Sequence, residues 1–78
     1  MDTQIGLHEL TIGQRAVVES LHMSGGMRRR LLDIGLVEQT TIECVGCAPS
    51  GDPMAFCIRG AVIALRCEDC RRICVRRL

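Results

Sequence analysis

Residues 54 to 65 read Met-Ala-Phe-Cys-Ile-Arg-Gly-Ala-Val-Ile-Ala-Leu, and this stretch decides the fold. The side chains from Met54 to Ile58 alternate in size and polarity, which favours a strand with one buried face. Ala61 to Leu65 is an uncharged run with β-branched residues at its centre, and it predicts a second strand. Arg59-Gly60 supplies a tight turn between the two. The stretch therefore predicts a β-hairpin.

Three further runs have the composition of strands. They lie at residues 15–21, 40–45 and 73–75, and breaker-rich segments separate them. Five short strands in a chain of this length predict a mainly β fold, a small, partly open five-stranded barrel with one or two short helices. The domain is expected to span residues 7–78, behind a flexible N-terminus at residues 1–6.

The longer of the two helices is predicted between the first and second strands. Ser24 can cap it, and the spacing of Met27, Leu31 and Ile34 places these three on one buried face. Gly35 ends it, because glycine adopts the left-handed conformation at low cost. A second helical segment, of one turn at most, is predicted at residues 67–72.

Composition excludes several classes of function. The chain has 78 residues, which is too short for the large two-domain and barrel enzymes. Phe56 is its one aromatic residue, so it lacks the platforms on which nucleic-acid bases stack. A net charge of +1 gives no field toward DNA or an anionic membrane. No catalytic set of side chains and no phosphate-binding loop is present, so we expect neither enzymatic activity nor nucleic-acid binding.

The distribution of apolar residues predicts the cellular compartment of the protein. The first residues lack the charge and apolar run of a signal peptide, and the longest apolar run, residues 61–65, is too short to cross a bilayer. We therefore expect a cytoplasmic protein that does not insert into the membrane directly. Its six cysteines should be reduced there, which argues against a disulfide framework.

Five segments, taken in order, resemble one family. Residues 10–13, 30–36, 48–53, 59–66 and 68–75 read Leu-Thr-Ile-Gly, Arg-Leu-Leu-Asp-Ile-Gly-Leu, Ala-Pro-Ser-Gly-Asp-Pro, Arg-Gly-Ala-Val-Ile-Ala-Leu-Arg and Glu-Asp-Cys-Arg-Arg-Ile-Cys-Val. Together they are similar to the FeoA-type domains of bacterial ferrous-iron transport. The resemblance covers about residues 7 to 76. One departure is Gln39, which stands where the family usually has glycine.

The resemblance implies a fold and a role. The implied fold is an SH3-like barrel. The implied role is that of a cytosolic accessory to FeoB, a membrane ferrous-iron permease with a GTP-binding domain, on which the module docks to modulate transport. Related domains are fused to iron- and manganese-dependent repressors, so a stand-alone relative of the repressor barrel is a further hypothesis. That role would require a DNA-binding partner, because this chain has no helix-turn-helix.

The cysteines support a second hypothesis, in which the chain binds a transition metal. Cys44, Cys47, Cys67 and Cys70 form two C-x-x-C pairs separated by 19 residues, a spacing typical of a four-thiolate zinc site. The competing interpretation is that Cys44 and Cys70 are small core residues and that the other cysteines lie at or near the surface. No cofactor is then required, although zinc or iron remains possible.

Two further hypotheses about the cysteines are a thiol sensor and an iron–sulfur cluster. Arg66, Arg71 and Arg72 flank Cys67 and Cys70, and neighbouring guanidinium groups lower a thiol pKa, so the segment could act as a thiol sensor. An iron–sulfur cluster is less well supported, because the run through Cys67, Cys70 and Cys74 lacks the full ferredoxin pattern.

A candidate docking surface lies on the outer side of the predicted helix. With Met27, Leu31 and Ile34 buried, the side chains of Arg28, Arg29 and Leu32 should face away from the core, with Met23 near them. Arginine is enriched at protein interfaces, where its planar fork binds carboxylates. We therefore predict a partner-binding patch formed by Met23, Arg28, Arg29 and Leu32.

Overall fold

Six antiparallel strands and two short helices make up most of the computed structural model, which describes residues 4–78. The mainly β prediction is confirmed. The elements in chain order are β1 (Gln4–Gly6), a 3-10 turn (Leu7–Glu9), β2 (Arg15–Leu21), α1 (Gly25–Asp33), β3 (Thr41–Cys47), β4 (Met54–Ile58), β5 (Ala61–Leu65), α2 (Cys67–Cys70) and β6 (Ile73–Arg77).

The strands form one open sheet in the order β1-β6-β2-β3-β4-β5. The prediction of five strands is wrong by one, since residues 4–6 pair with β6 in a register that aligns Ile5 with Val75. The sequence predicts a flexible N-terminus at residues 1–6. Residues 4–6 form β1, and residues 1–3 lie outside the described residues. Three residues are too short to show alternation, and their partner strand lies about 70 residues away.

The hairpin that the sequence predicts at residues 54–65 is present. β4 and β5 pair from Ile58 opposite Ala61 to Met54 opposite Leu65. Arg59 and Gly60 both have positive φ, 51° and 84°, as a two-residue turn of type I′ requires. β5 then lies at one edge of the sheet, and β1 lies at the other.

Alternation along β4 builds the core. Met54, Phe56 and Ile58 are buried, whereas Ala55 and Cys57 between them are partly exposed. Phe56 is completely buried and is the largest side chain of the core. The buried residues around it come from every part of the described chain and include Leu7, Leu10, Ala16, Val18, Leu31, Leu36, Ile42, Cys44, Cys70, Ile73 and Val75.

Helix α1 is displaced from its predicted bounds by one or two residues. Leu31 is buried and Met27 packs against the core, as expected. Ile34 is not buried: it is 42% exposed, because the helix ends at Asp33 and Ile34 occupies the C-cap with φ −86° and ψ 1°. Gly35 follows with φ of 100°, which confirms the predicted glycine stop.

The departure from the family pattern at Gln39 falls on a strained backbone position. Gln39 has φ of 74°, which side chains other than glycine adopt at a cost of about 1 kcal/mol. Its side chain is exposed, and its N–H donates to the Val18 carbonyl at 2.8 Å, a bond that glycine also makes. We expect Gln39→Gly to raise the free energy of unfolding by up to about 1 kcal/mol, measured by urea denaturation.

The preceding residue supplies a matched control for this prediction. Glu38 is also exposed but does not have positive φ, so Glu38→Gly should lower the free energy of unfolding by roughly 0.5–1 kcal/mol. Equal effects of the two glycines would show that strain at Gln39 is not the cause.

Candidate functional site

The outer side of α1 carries a shallow depression of about 420 Å³. Leu32 forms its apolar part and is 37% exposed. We name this surface the helix patch. It is lined by Gly25, Gly26, Arg28, Arg29, Leu32 and Asp33.

The helix patch carries two arginines against one acid. Arg28 is partly buried, and its Nη1 donates to the Leu21 carbonyl at 3.1 Å, at the end of β2. Arg29 is exposed. Arg28 is thus fixed by the fold, whereas Arg29 projects into solvent beside Leu32, with only Asp33 of opposite charge in the patch. Such a surface suits a partner with carboxylates around an apolar side chain.

Three of the four predicted docking residues come together, and the fourth lies elsewhere. Arg28, Arg29 and Leu32 line the same depression. Met23 is partly buried and packs against the hydrophobic core, and it does not line the depression. It precedes the helix, so helical spacing does not govern where its side chain points.

A second, larger depression was not anticipated from the sequence. It measures about 640 Å³ and lies between α1, the end of β5 and α2. Arg30 and Arg66 contribute positive charge to it, and Glu68 and Asp69 contribute negative charge. Its residues come from segments some 30 positions apart, so no local motif could have indicated it.

The six cysteines differ in burial. Cys44 and Cys70 are fully buried, which agrees with the interpretation that they are core residues. Cys47 is exposed, and Cys67, Cys57 and Cys74 are partly buried. Within residues 4–78, no group of three or more His, Cys, Asp or Glu side chains is placed to hold a metal ion. In this conformation the two C-x-x-C pairs therefore do not assemble the four-thiolate site that their spacing suggested.

Two hydrogen bonds join Cys67 to the breaker-rich loop at residues 48–53. The Sγ of Cys67 donates to the Gly51 carbonyl at 3.3 Å. The N–H of Cys67 donates to Oδ1 of Asp52 at 3.1 Å. These two bonds hold the loop at residues 48–53 against the start of α2, so Asp52 serves as a structural link between loop and helix.

Burial controls the chemistry of the two core thiols. It raises the pKa of Cys70 from 9.0 to about 12, and the negative charges of Cys67 and Asp69 add to the effect. Burial also raises the pKa of Cys44, and a backbone hydrogen bond with Gly46 offsets part of the rise. Flanking arginines were expected to lower the pKa of Cys70, and the direction is the opposite. Both core thiols stay protonated at neutral pH and are poor nucleophiles.

The raised pKa values predict a loss of stability in alkali. The chain has no Lys and no Tyr, so neither residue type obscures the effect in this pH range. Because the folded-state pKa of Cys70 lies above its unfolded value, stability is full below about pH 9 and falls as the pH rises toward 12. One such thiol gives a slope of at most about 1.4 kcal/mol per pH unit, measurable by urea denaturation at several pH values.

The variant Cys70→Ala separates this effect from general alkaline damage. It removes the buried thiol, so its stability should fall less steeply with pH than that of the wild type, with Cys44 supplying the remainder. A flat profile in the wild type, or the same slope in both proteins, would contradict the assignment.

The comparisons with known proteins agree on one family. The profile of the FeoA domain family matches residues 5–77. A Porphyromonas gingivalis protein described as a fusion of Fe(2+) transport protein A and the Fe(2+) transporter FeoB is 39% identical over 67 residues. That match covers 86% of this chain but only 8% of the fusion protein.

Solved structures of similar sequence share the fold. The FeoA protein of Chlorobium tepidum superimposes with a TM-score of 0.90 at 35% identity, over 95% of this chain and 70% of that one. The FeoA protein of Stenotrophomonas maltophilia, solved with zinc and described as an SH3 domain protein, has a TM-score of 0.79 at 31% identity. The match covers 91% of this chain and 88% of that one.

One further observation concerns the membrane. In the part of the chain that the structure describes, neither helix has the length and apolar character needed to cross a bilayer.

Proposed function

The chain belongs to the FeoA family, and from that premise we propose that it is a non-catalytic accessory module that docks on a FeoB-type ferrous-iron permease and modulates its transport. The observation that carries the proposal is the Porphyromonas gingivalis relative, in which the two proteins form one chain. Fusion raises the effective concentration of one partner at the other, which is useful when the separate proteins associate.

The permease-facing surface proposed is the helix patch. Leu32 supplies an apolar centre, and Arg28 and Arg29 flank it with charges suited to carboxylates on the partner. Arg28 is held by the Leu21 carbonyl, so part of the patch is ordered before binding, and less side-chain entropy is lost on docking.

The rest of the molecule supports a surface role. The core is filled by side chains, Phe56 foremost, so we infer an SH3-like barrel without an internal ligand cavity. Docking needs no cofactor and no nucleic acid. The module would act from the cytoplasm, on the GTP-binding part of the permease, and would reach the membrane only through that partner.

Ferrous-iron uptake by living cells tests this function. In a strain that lacks the chromosomal copy, the wild-type chain should change the rate of ⁵⁵Fe(II) uptake through the permease by several-fold, because docking alters the transporter. The variant Arg29→Glu/Leu32→Asp should behave as if no chain were present. Uptake that is the same with the wild-type chain and without it would contradict the proposal.

A further inference from the structure

A β-bulge changes the geometry of one C-x-x-C pair. In the pairing of β3 with β4, Cys44 lies opposite Phe56, and Cys47 lies opposite Met54, with a register shift between residues 44 and 46. Side chains three positions apart in a regular strand point to opposite faces. Because the bulge adds one residue, Cys44 and Cys47 instead face the same side, the side on which Phe56 and Met54 also lie.

This alignment brings three sulfur-containing side chains to one cavity. Cys44, Cys47 and Met54 all line an opening of about 440 Å³. Cys47 is exposed at its mouth, whereas Cys44 is fully buried, and Met54 is only 8% exposed. Residues directly opposite on paired strands have Cβ atoms about 4.5–5.5 Å apart, so the side chains of Cys47 and Met54 start from neighbouring positions. We name this opening the sulfur pocket.

The opposite wall of the sulfur pocket is apolar and fixed. Leu10, Thr11 and Ile12 form it. Two backbone bonds attach the following turn to β3: the Gly13 N–H donates to the Cys44 carbonyl at 2.8 Å, and the Cys44 N–H donates to the Gln14 carbonyl at 3.0 Å. The wall therefore stays against Cys44.

We propose that the sulfur pocket binds one Cu(I) ion through the thiolates of Cys44 and Cys47 and the thioether of Met54. Thiolate and thioether sulfur are soft ligands, which favour Cu(I), zinc and iron–sulfur clusters over harder metals, and a thioether among only two thiolates suits Cu(I). On binding, each of the two thiols releases its proton to solvent as its S–Cu bond forms, and the thioether donates a lone pair. The ion enters and stays as Cu(I), so no oxidant or reductant takes part.

The donor set disfavours zinc in the same place. Zinc sites take four ligands from thiolate, imidazole and carboxylate groups, and thioether is not among them. Within residues 4–78, no three His, Cys, Asp or Glu side chains converge, so this cavity offers zinc two good ligands at most. The sulfur pocket thus uses only half of the cysteine pattern and adds Met54, which the spacing of cysteines could not indicate.

The site is independent of docking, since none of its lining residues belongs to the helix patch. Failure of one proposal therefore leaves the other standing. Iron uptake tests the helix patch, and metal transfer in vitro tests the sulfur pocket.

The experiment is a competition for Cu(I). Reduced, metal-free full chain is titrated anaerobically into the coloured complex of Cu(I) with bathocuproine disulfonate, and loss of colour reports transfer. We expect one equivalent to move to the wild-type protein. Alkylation with iodoacetamide, followed by mass spectrometry, should show Cys47 protected in the loaded protein and modified in the metal-free protein.

Three variants locate the ion. Cys47→Ser should weaken Cu(I) binding at least 100-fold, and Met54→Leu, a swap that cores tolerate, at least 10-fold. Cys57→Ser is the matched control, because Cys57 lies on the other face of β4 and should leave binding unchanged. Circular dichroism verifies that each variant is folded. The proposal is overturned if the wild type takes no Cu(I), if Cys47→Ser or Met54→Leu binds as tightly as the wild type, or if Cys57→Ser weakens binding equally.

Discussion

Replacing Phe56 with alanine is expected to remove most of the protein's free energy of unfolding at 25 °C. Phe56 is fully buried and is the largest side chain of the core. Truncating a buried phenylalanine costs about 3–5 kcal/mol, because burial is lost and a cavity remains. A domain of 78 residues has a small core and a total stability near the low end of about 5–15 kcal/mol, so the loss consumes most of it.

Urea denaturation followed by circular dichroism measures this effect. Two controls separate the loss of core from the loss of any side chain. Phe56→Leu keeps most of the volume and should cost much less, and Val62→Ala, at a position that is 65% exposed, should change stability by less than about 0.5 kcal/mol. A stable, cooperatively folded Phe56→Ala protein would mean that the core is not organised around this ring.

The second large effect concerns docking. We expect Arg29→Glu/Leu32→Asp to weaken binding to the cytosolic part of the permease by about 100-fold or more. The double change places a charge at the apolar centre of the helix patch and reverses a flanking charge, and like charges across an interface cost several kcal/mol. Arg29 and Leu32 are both exposed, so the fold should survive.

Arg30 provides the matched control on the same helix. It is also exposed, but it lines the larger depression beside α2 and not the helix patch. Arg30→Glu makes the same charge change a single position away and should alter the affinity by less than threefold. If Arg30→Glu weakened binding as strongly as the double variant, the docking surface would have to be moved to that larger depression.

Local patterns were sufficient for much of this fold. Alternation and a two-residue turn predicted the β4–β5 hairpin, and apolar spacing with Gly35 predicted α1 and its end. These features depend on residues close together in the chain. Ordered motifs spread over residues 7 to 76 predicted the family, which the profile match to residues 5–77 confirms.

The features that could not be predicted from the sequence depend on contacts between residues far apart in the chain. Strand β1 exists because residues 4–6 find a partner in β6, and nothing within three residues announces that partner. Met23 packs against the core, and because it precedes α1, helical periodicity could not predict this. The spacing of the C-x-x-C pairs does not show how deeply each thiol lies: Cys44 and Cys70 are fully buried, and Cys47 is exposed.

The geometry around the bulge in β3 is partly predictable from local sequence and partly set by strand pairing. A glycine inside a strand is a signal of a bulge, and Gly46 stands in that place. Considered with Gly46, the pair Cys44 and Cys47 could have been assigned to one face from the sequence. Met54 could not, since its position opposite Cys47 follows from the register of the whole hairpin.

Direct binding measures whether this chain docks on a FeoB-type permease. The purified chain is titrated into the isolated cytosolic GTP-binding part of the permease, and the heat of binding is recorded. We predict a saturable one-to-one complex with a Kd in the micromolar range, as is typical of small transient interfaces. Absence of any heat or co-elution with both proteins at about 100 µM, well above such a Kd, would contradict the account.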